Sequence, residues 1–244
     1  MHRAGIFLFF VTLSASVKLP PTFKKCNRKQ PDLRECVLAA AQHALPQLVK
    51  PFKELSLPSL DPLEVREVAI KSAAGSATVD QIFTDCKLSG FHKVQVDRFE
   101  FDFGGKTVAV ALVFPRIDIG CEYRLNGTVL RLAVRGGGGS EVVLENFKIR
   151  GFAGYEEAGT GGKTHLKFVT SKFDIDSSFI SFHFEGLFDG NKELEDNFNR
   201  VLNDNWREVF EDVKNDYVEA ISQILLEILT NFFSKVSIEE AFDD

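Results

Sequence analysis

The sequence predicts an α+β chain in which a highly curved antiparallel β-sheet wraps one long C-terminal α-helix. Three observations predict it. From Val65 to about Phe184 the apolar residues recur with period two; from Leu194 to Val236 they recur at helical spacing. The end of that helix is apolar nearly all round from Ala220 onward, so it needs something around it, and the upstream strands are what the chain supplies.

The first residues, MHRAGIFLFFVTLSAS, have a basic start at His2 and Arg3, an apolar run from Ile6 to Leu13 and small residues at Ser14–Ser16. This is the layout of a secretory signal peptide over 1–16, too short to cross roughly 30 Å of hydrocarbon. It leaves 17–244 as a single domain in an exported, oxidising setting. There Cys26 and Cys36, with nine residues of polar segment between them, read as a local disulfide rather than a CxxC redox motif or a zinc site. Closing that loop contributes on the order of 3 kcal/mol.

The helical spacing of Val37, Ala40, Ala41, Ala44 and Leu48 predicts a helix after Cys36, kinked at Pro46 and ended near Pro51. SLPSLDPLEV is an extended connector. In the strand region Phe99, Phe101 and Phe103 share one face, as do Ile117, Ile119, Cys121, Tyr123 and Leu125; Leu130, Leu132 and Val134 form a further inward set. Asn126-Gly127 has the residues of a hairpin turn, and RGGGGSE at 135–141 those of a flexible hairpin loop. KVQVDRFEF and FPRIDIG carry phase slips of the kind a curved sheet needs. The final helix has neither Pro nor Gly after Gly190 and would span roughly 63 Å unbroken. Gln223, Glu227, Asn231 and Lys235 draw one polar stripe along it, which argues against a membrane span.

Cys86 shares its face with Ile82 and Leu88, and Cys121 with Ile119 and Tyr123, so both sulfurs point to the apolar side. Two outcomes stay open: a second, buried disulfide, or two free thiols filling space. Asn126-Gly127-Thr128 is also a glycosylation sequon, making Asn126 a candidate acceptor.

Composition narrows the function. With 29 basic and 35 acidic residues the net charge is −6, or −7 once Arg3 is gone, which does not suit nucleic acid. The 24 Phe against three Tyr and one Trp give an aromatic surface nearly without polar handles, suited to a core or to a wall facing a greasy ligand. No nucleophile elbow occurs, the histidines are scattered singly, and Asp174 and Asp176 alternate with Phe173 and Ile175 as an outer strand face. The reading is therefore not an enzyme, with no metal and no cofactor.

The order and spacing of LPPTFKKC, LPSLDPL, LSGF, FPRIDIGCEYRLNGTVL, the glycine run and LFDGNKELEDNFNRVLNDNWREVFEDV resemble the takeout/juvenile-hormone-binding protein family of insects over nearly the whole chain. The resemblance implies a tubular lipid-binding-like fold around an apolar tunnel. It also implies a secreted carrier of a small hydrophobic ligand, terpenoid or fatty-acyl-like, juvenile hormone among them, linked to circadian, feeding or chemosensory regulation. Hormone carriers of the family have a further disulfide in the C-terminal half; the absence of cysteine after Cys121 places this chain nearer the takeout branch. The expected tunnel wall comprises Phe101, Ile119, Tyr123, Leu132 and Phe184 from the strands, with Phe210, Val213, Tyr217 and Ile221 from the helix. The carrier is expected to be a monomer without stable membrane insertion. Two competing readings are a defence protein of the same architecture binding microbial or membrane lipid, and an interaction protein whose terminal helix docks on a partner.

Overall fold

The computed structural model describes residues 17–243 apart from 56, 75 and 76. The signal-peptide segment 1–16 lies outside the described residues.

In chain order the elements are β1 (Cys26–Asn27), α1 (Leu33–Ala44), β2 (Leu63–Ala74), β3 (Ala77–Ser89), β4 (Gln95–Asp102), β5 (Thr107–Val129), β6 (Leu132–Thr160), β7 (Lys163–Asp176), β8 (Phe179–Phe184), α2 (Lys192–Asp204), α3 (Trp206–Lys235), α4 (Ile238–Ala241) and β9 (Phe242–Asp243). Cys26 and Cys36 are bonded, tying β1 to the first turn of α1, and β1 pairs with β9 in parallel. The first helix starts ahead of Cys36 and stops at Ala44, where a 3₁₀ turn containing Pro46 takes over.

The large sheet is antiparallel in the order β2-β3-β5-β6-β7, with β4 added on β5 and β8 on β6. Its spine is the β5–β6 hairpin, 23 and 29 residues long. The expected slip in FPRIDIG is a shared irregularity of both strands. Phe114 pairs with Phe147 and Arg116 with Glu145, so Pro115 and Asn146 drop out of the ladder together with the register unchanged. Pro115 has no N–H to give, and Asn146 adopts φ 48°. Before this point Val108, Val110 and Phe114 face inward; after it Ile117, Cys121, Tyr123 and Leu125 do, so the inward face changes from even to odd numbers. The slip lets one long strand keep its apolar side toward α3 through the bend. The slip in KVQVDRFEF is a bulge between Val96 and Arg98.

Several expectations are corrected. Asn126-Gly127 is not the hairpin turn: both residues sit within β5, between β3 and β6, and Leu130-Arg131, both at positive φ, make the turn. Two central residues at positive φ are what a type I′ hairpin turn requires, the turn whose twist matches the flanking strands. The glycine run is not a loop: Gly136–Gly139 pair with Glu122–Leu125 of β5 inside the ladder, a few residues from its turn. Their missing side chains are used by a close crossing, since a Cβ on Gly136 would stand 2.6 Å from Gly186 O and one on Gly138 2.6 Å from Glu185 O. Ile82 does not share a face with Cys86. A bulge between Thr84 and Lys87, with Asp85 at φ 52°, shifts the alternation, so Val79, Gln81 and Phe83 face inward with Cys86 while Ile82 is 40% exposed.

The C-terminal helix is broken. A turn at Asn205 (φ −115°, ψ 22°) separates α2 from α3. Asn203-Asp204-Asn205 is the cause: short polar side chains compete for backbone groups, and Asn203 and Asn205 bond back to the Asn199 and Val201 carbonyls. The longer piece, α3, has 30 residues and is about 45 Å long. It lies in the concavity of the sheet. Lys214 pairs with Asp174 of β7 at 2.8 Å, and the Thr230 hydroxyl accepts the Phe168 N–H. Gln223, Glu227 and Lys235 of the polar stripe are exposed on its outer side. No helix among the described residues is long and apolar enough to cross a membrane.

Candidate functional site: an apolar cavity under one half of the sheet

The two halves of the sheet cover α3 differently. Around the last turns of α3, near Phe233, the packing is solid and aromatic. Phe101 meets Phe99, Phe103, Phe233 and Phe242 at ring separations of 5.2–5.8 Å, and Tyr155 and Phe168 close the other side. Under β2, β3, β8 and the adjoining parts of β5 and β6 the sheet stands off the helix instead. It leaves a cavity of about 230 Å³. That is well above the roughly 150 Å³ at which an apolar cavity already stays dry and admits an aromatic ring.

Helix α3 contributes Val209, Phe210, Val213, Tyr217, Ile221, Ile224 and Ile228 to the wall, positions three and four apart on one stripe. From Val209 to Ile228 the stripe runs about 28 Å. Ile119, Leu125, Val142 and Phe184 face it from the strands, and Phe198 and Leu202 of α2 close one end. Among the described residues that line the cavity none is charged. Cys86 and Cys121, 4.2 Å apart at Cα, form a second disulfide in this wall, cross-linking β3 to β5. No cysteine among the described residues is free.

Of the expected wall, Ile119, Phe184, Phe210, Val213, Tyr217 and Ile221 lie on the cavity. Three residues do not. Phe101 is in the solid aromatic cluster, because β4 covers the other half of the sheet. Leu132, 45% exposed, follows the β5–β6 turn at the tip of the hairpin, beyond the reach of α3. Tyr123 faces inward but is consumed by packing: its ring meets Phe184 edge-on, its hydroxyl donates to Glu185 O at 2.7 Å, and burial pushes its phenol pKa up. Asn126 is exposed on the opposite face of β5.

Two features of the site were missed. Gln81 stands at an inward position of β3 and accepts a 2.9 Å hydrogen bond from the Tyr217 hydroxyl. The signal was a glutamine alternating with Val79 and Phe83, concealed by a face assignment counted back from Cys86. The second is the anchoring of α2, the element that closes the cavity end. Asn199 accepts from Phe184 N–H and donates to Phe184 O; Asn203 does the same with Phe182. One turn earlier Glu195 accepts from the Gly186 and Leu187 N–H groups. The Lys192 ammonium 2.8 Å away, opposed by burial and helped by those N–H donors, holds the Glu195 carboxyl below its ordinary range. Asn199 and Asn203, four apart, thus replace a missing neighbouring strand for the edge of β8, and Glu195 continues the row onto the chain just after it.

Among the described residues there is no group of three or more His, Cys, Asp or Glu that could hold a metal. A curved antiparallel sheet enclosing an uncharged cavity against one helix defines a hydrophobic-ligand-binding class of fold.

The chain belongs to the takeout/juvenile-hormone-binding family: the family model described as haemolymph juvenile hormone binding protein matches residues 6–243. Among solved structures, Takeout 1 of Epiphyas postvittana is similar with a TM-score of 0.78 and 26% identity, over 90% of this chain and 99% of that one. A lipopolysaccharide binding protein is 14% identical over 81% of this chain and 40% of that one, at a TM-score of 0.33. No curated protein matches the sequence.

Proposed function

We propose that this protein is a secreted, monomeric carrier of a small hydrophobic ligand, of the takeout branch, with 1–16 as a cleaved export signal and 17–244 as one ligand-binding domain. The ligand is terpenoid or fatty-acyl-like and is held by Ile119, Phe184, Phe210, Val213, Tyr217 and Ile221. The observation that carries this reading is the cavity: about 230 Å³, uncharged, lying along α3. Apolar burial without charge supplies binding to any greasy molecule of suitable length and none to ions. Family membership supports the carrier role, and the two disulfides suit an oxidising compartment. A part in circadian, feeding or chemosensory regulation goes with the branch.

The test is a native mass spectrum of the protein secreted from eukaryotic cells, compared with its denatured mass. A retained small molecule, extractable into organic solvent, is expected. No retained mass, together with no uptake of the apolar dye N-phenyl-1-naphthylamine, would sink the carrier reading.

A further inference from the structure

We infer that Gln81 and Tyr217 form the polar anchor of the cavity and select a neutral oxygenated lipid, such as an alcohol or ester, over a fatty-acid anion. This rests on the carrier reading and adds to it the chemical class of the ligand. Gln81 is only 7% exposed and sits in an otherwise apolar strand face, where an amide is costly unless bonded. Its partner comes from across the cavity: the Tyr217 hydroxyl on α3 donates to Gln81 Oε1 at 2.9 Å. Burial pushes the Tyr217 phenol pKa up, so the hydroxyl stays a protonated donor at any physiological pH. With that bond made, the chemistry of the pair includes amide N–H donors for a ligand oxygen and a phenol oxygen that accepts from a ligand hydroxyl.

The other polar groups on the wall offer less. The Ser140 hydroxyl donates to Cys121 O at 3.1 Å, within the strand pair itself. Among the described lining residues no Lys, Arg or His is present to meet a carboxylate. A buried anion without a counter-charge loses its hydration uncompensated, whereas a neutral hydroxyl or carbonyl needs only one or two hydrogen bonds. The pair supplies those, so the cavity discriminates by charge at equal chain length.

The experiment is displacement of N-phenyl-1-naphthylamine at about pH 8.5 by hexadecanol, palmitate and hexadecane, on wild type, Tyr217→Phe and Gln81→Leu. Hexadecanol is expected to displace the dye at least ~10-fold more strongly than palmitate from wild type. Each variant is expected to lower the ratio of hexadecanol to hexadecane affinity roughly tenfold, the size of one buried hydrogen bond. Retained dye binding shows that the variant cavity is folded, and the wild-type alcohol-to-acid ratio stands without any variant. Equal displacement by palmitate and hexadecanol overturns the inference. So do variants that leave the hexadecanol-to-hexadecane ratio unchanged. If wild type takes up neither the dye nor any of the three chains, it is the carrier reading that has failed.

Discussion

Gly127 shows how a single residue carries the pairing of the sheet. Its φ is 155°, and a Cβ there would stand 2.3 Å from Thr78 O and 2.7 Å from Val79 Cα. Both atoms belong to β3, paired with β5 in this region, so neither can yield without moving a strand. Gly127→Ala is expected to destabilise the fold by about 2 kcal/mol or more, through the clash and the backbone conformation together. A urea unfolding curve checks it; an unchanged midpoint would mean that β3 does not approach so closely. The same residue explains why Asn126-Gly127 misled: the glycine serves a close strand crossing, and the local dipeptide cannot distinguish that from a turn.

At the scale of elements, α2 is held by side chains that imitate a strand. Asn199 is buried, and both its amide atoms are paired with the backbone of Phe184, at 3.0 and 2.9 Å. Asn199→Ala leaves one N–H and one C=O of β8 unpaired under α2 and is expected to cost about 2–4 kcal/mol. Asn199→Asp keeps the acceptor and loses the donor, so it should fall between wild type and alanine when unfolding is followed by circular dichroism. Equal stability of all three would show that water replaces the amide. Elements of this kind were only partly legible. Period two and period 3.6 gave the sheet, the final helix and its outer polar stripe, because those patterns record which side of a chain is dry. The division into α2 and α3 was hidden because neither Pro nor Gly marks it, and the Asn203–Asn205 cluster acts through side-chain bonds that a breaker rule does not count. The face of Ile82 was lost for a similar reason: one bulged residue at Asp85 reverses every position before it. Six of nine expected wall residues reach the cavity. Phe101, Leu132 and Tyr123 do not, since periodicity reports an inward face and not how far the opposite wall stands away.

At the scale of the whole molecule, the sheet is solid around the last turns of α3 and stands off the helix along the stripe from Val209 to Ile228, and the contrast can be read with one substitution made twice. Ala220 of α3 lines the cavity, where a larger side chain meets space. Ala153 of β6 is fully buried in the solid part, in the cluster with Phe168 and Phe233. Ala220→Leu is expected to stabilise the ligand-free protein by about 1–2 kcal/mol, from apolar area newly buried against the far wall. It should also weaken dye uptake, because the added carbons occupy ligand space. Ala153→Leu has nowhere to put the same atoms and is expected to destabilise by about 1–3 kcal/mol. Thermal unfolding of the delipidated variants, followed by dye titration, measures both signs. Destabilisation by both substitutions would mean that the cavity closes in solution. Stabilisation of one with loss of uptake, against destabilisation of the other, would show a protein that gives up packing free energy in one part of its core to keep room for a ligand.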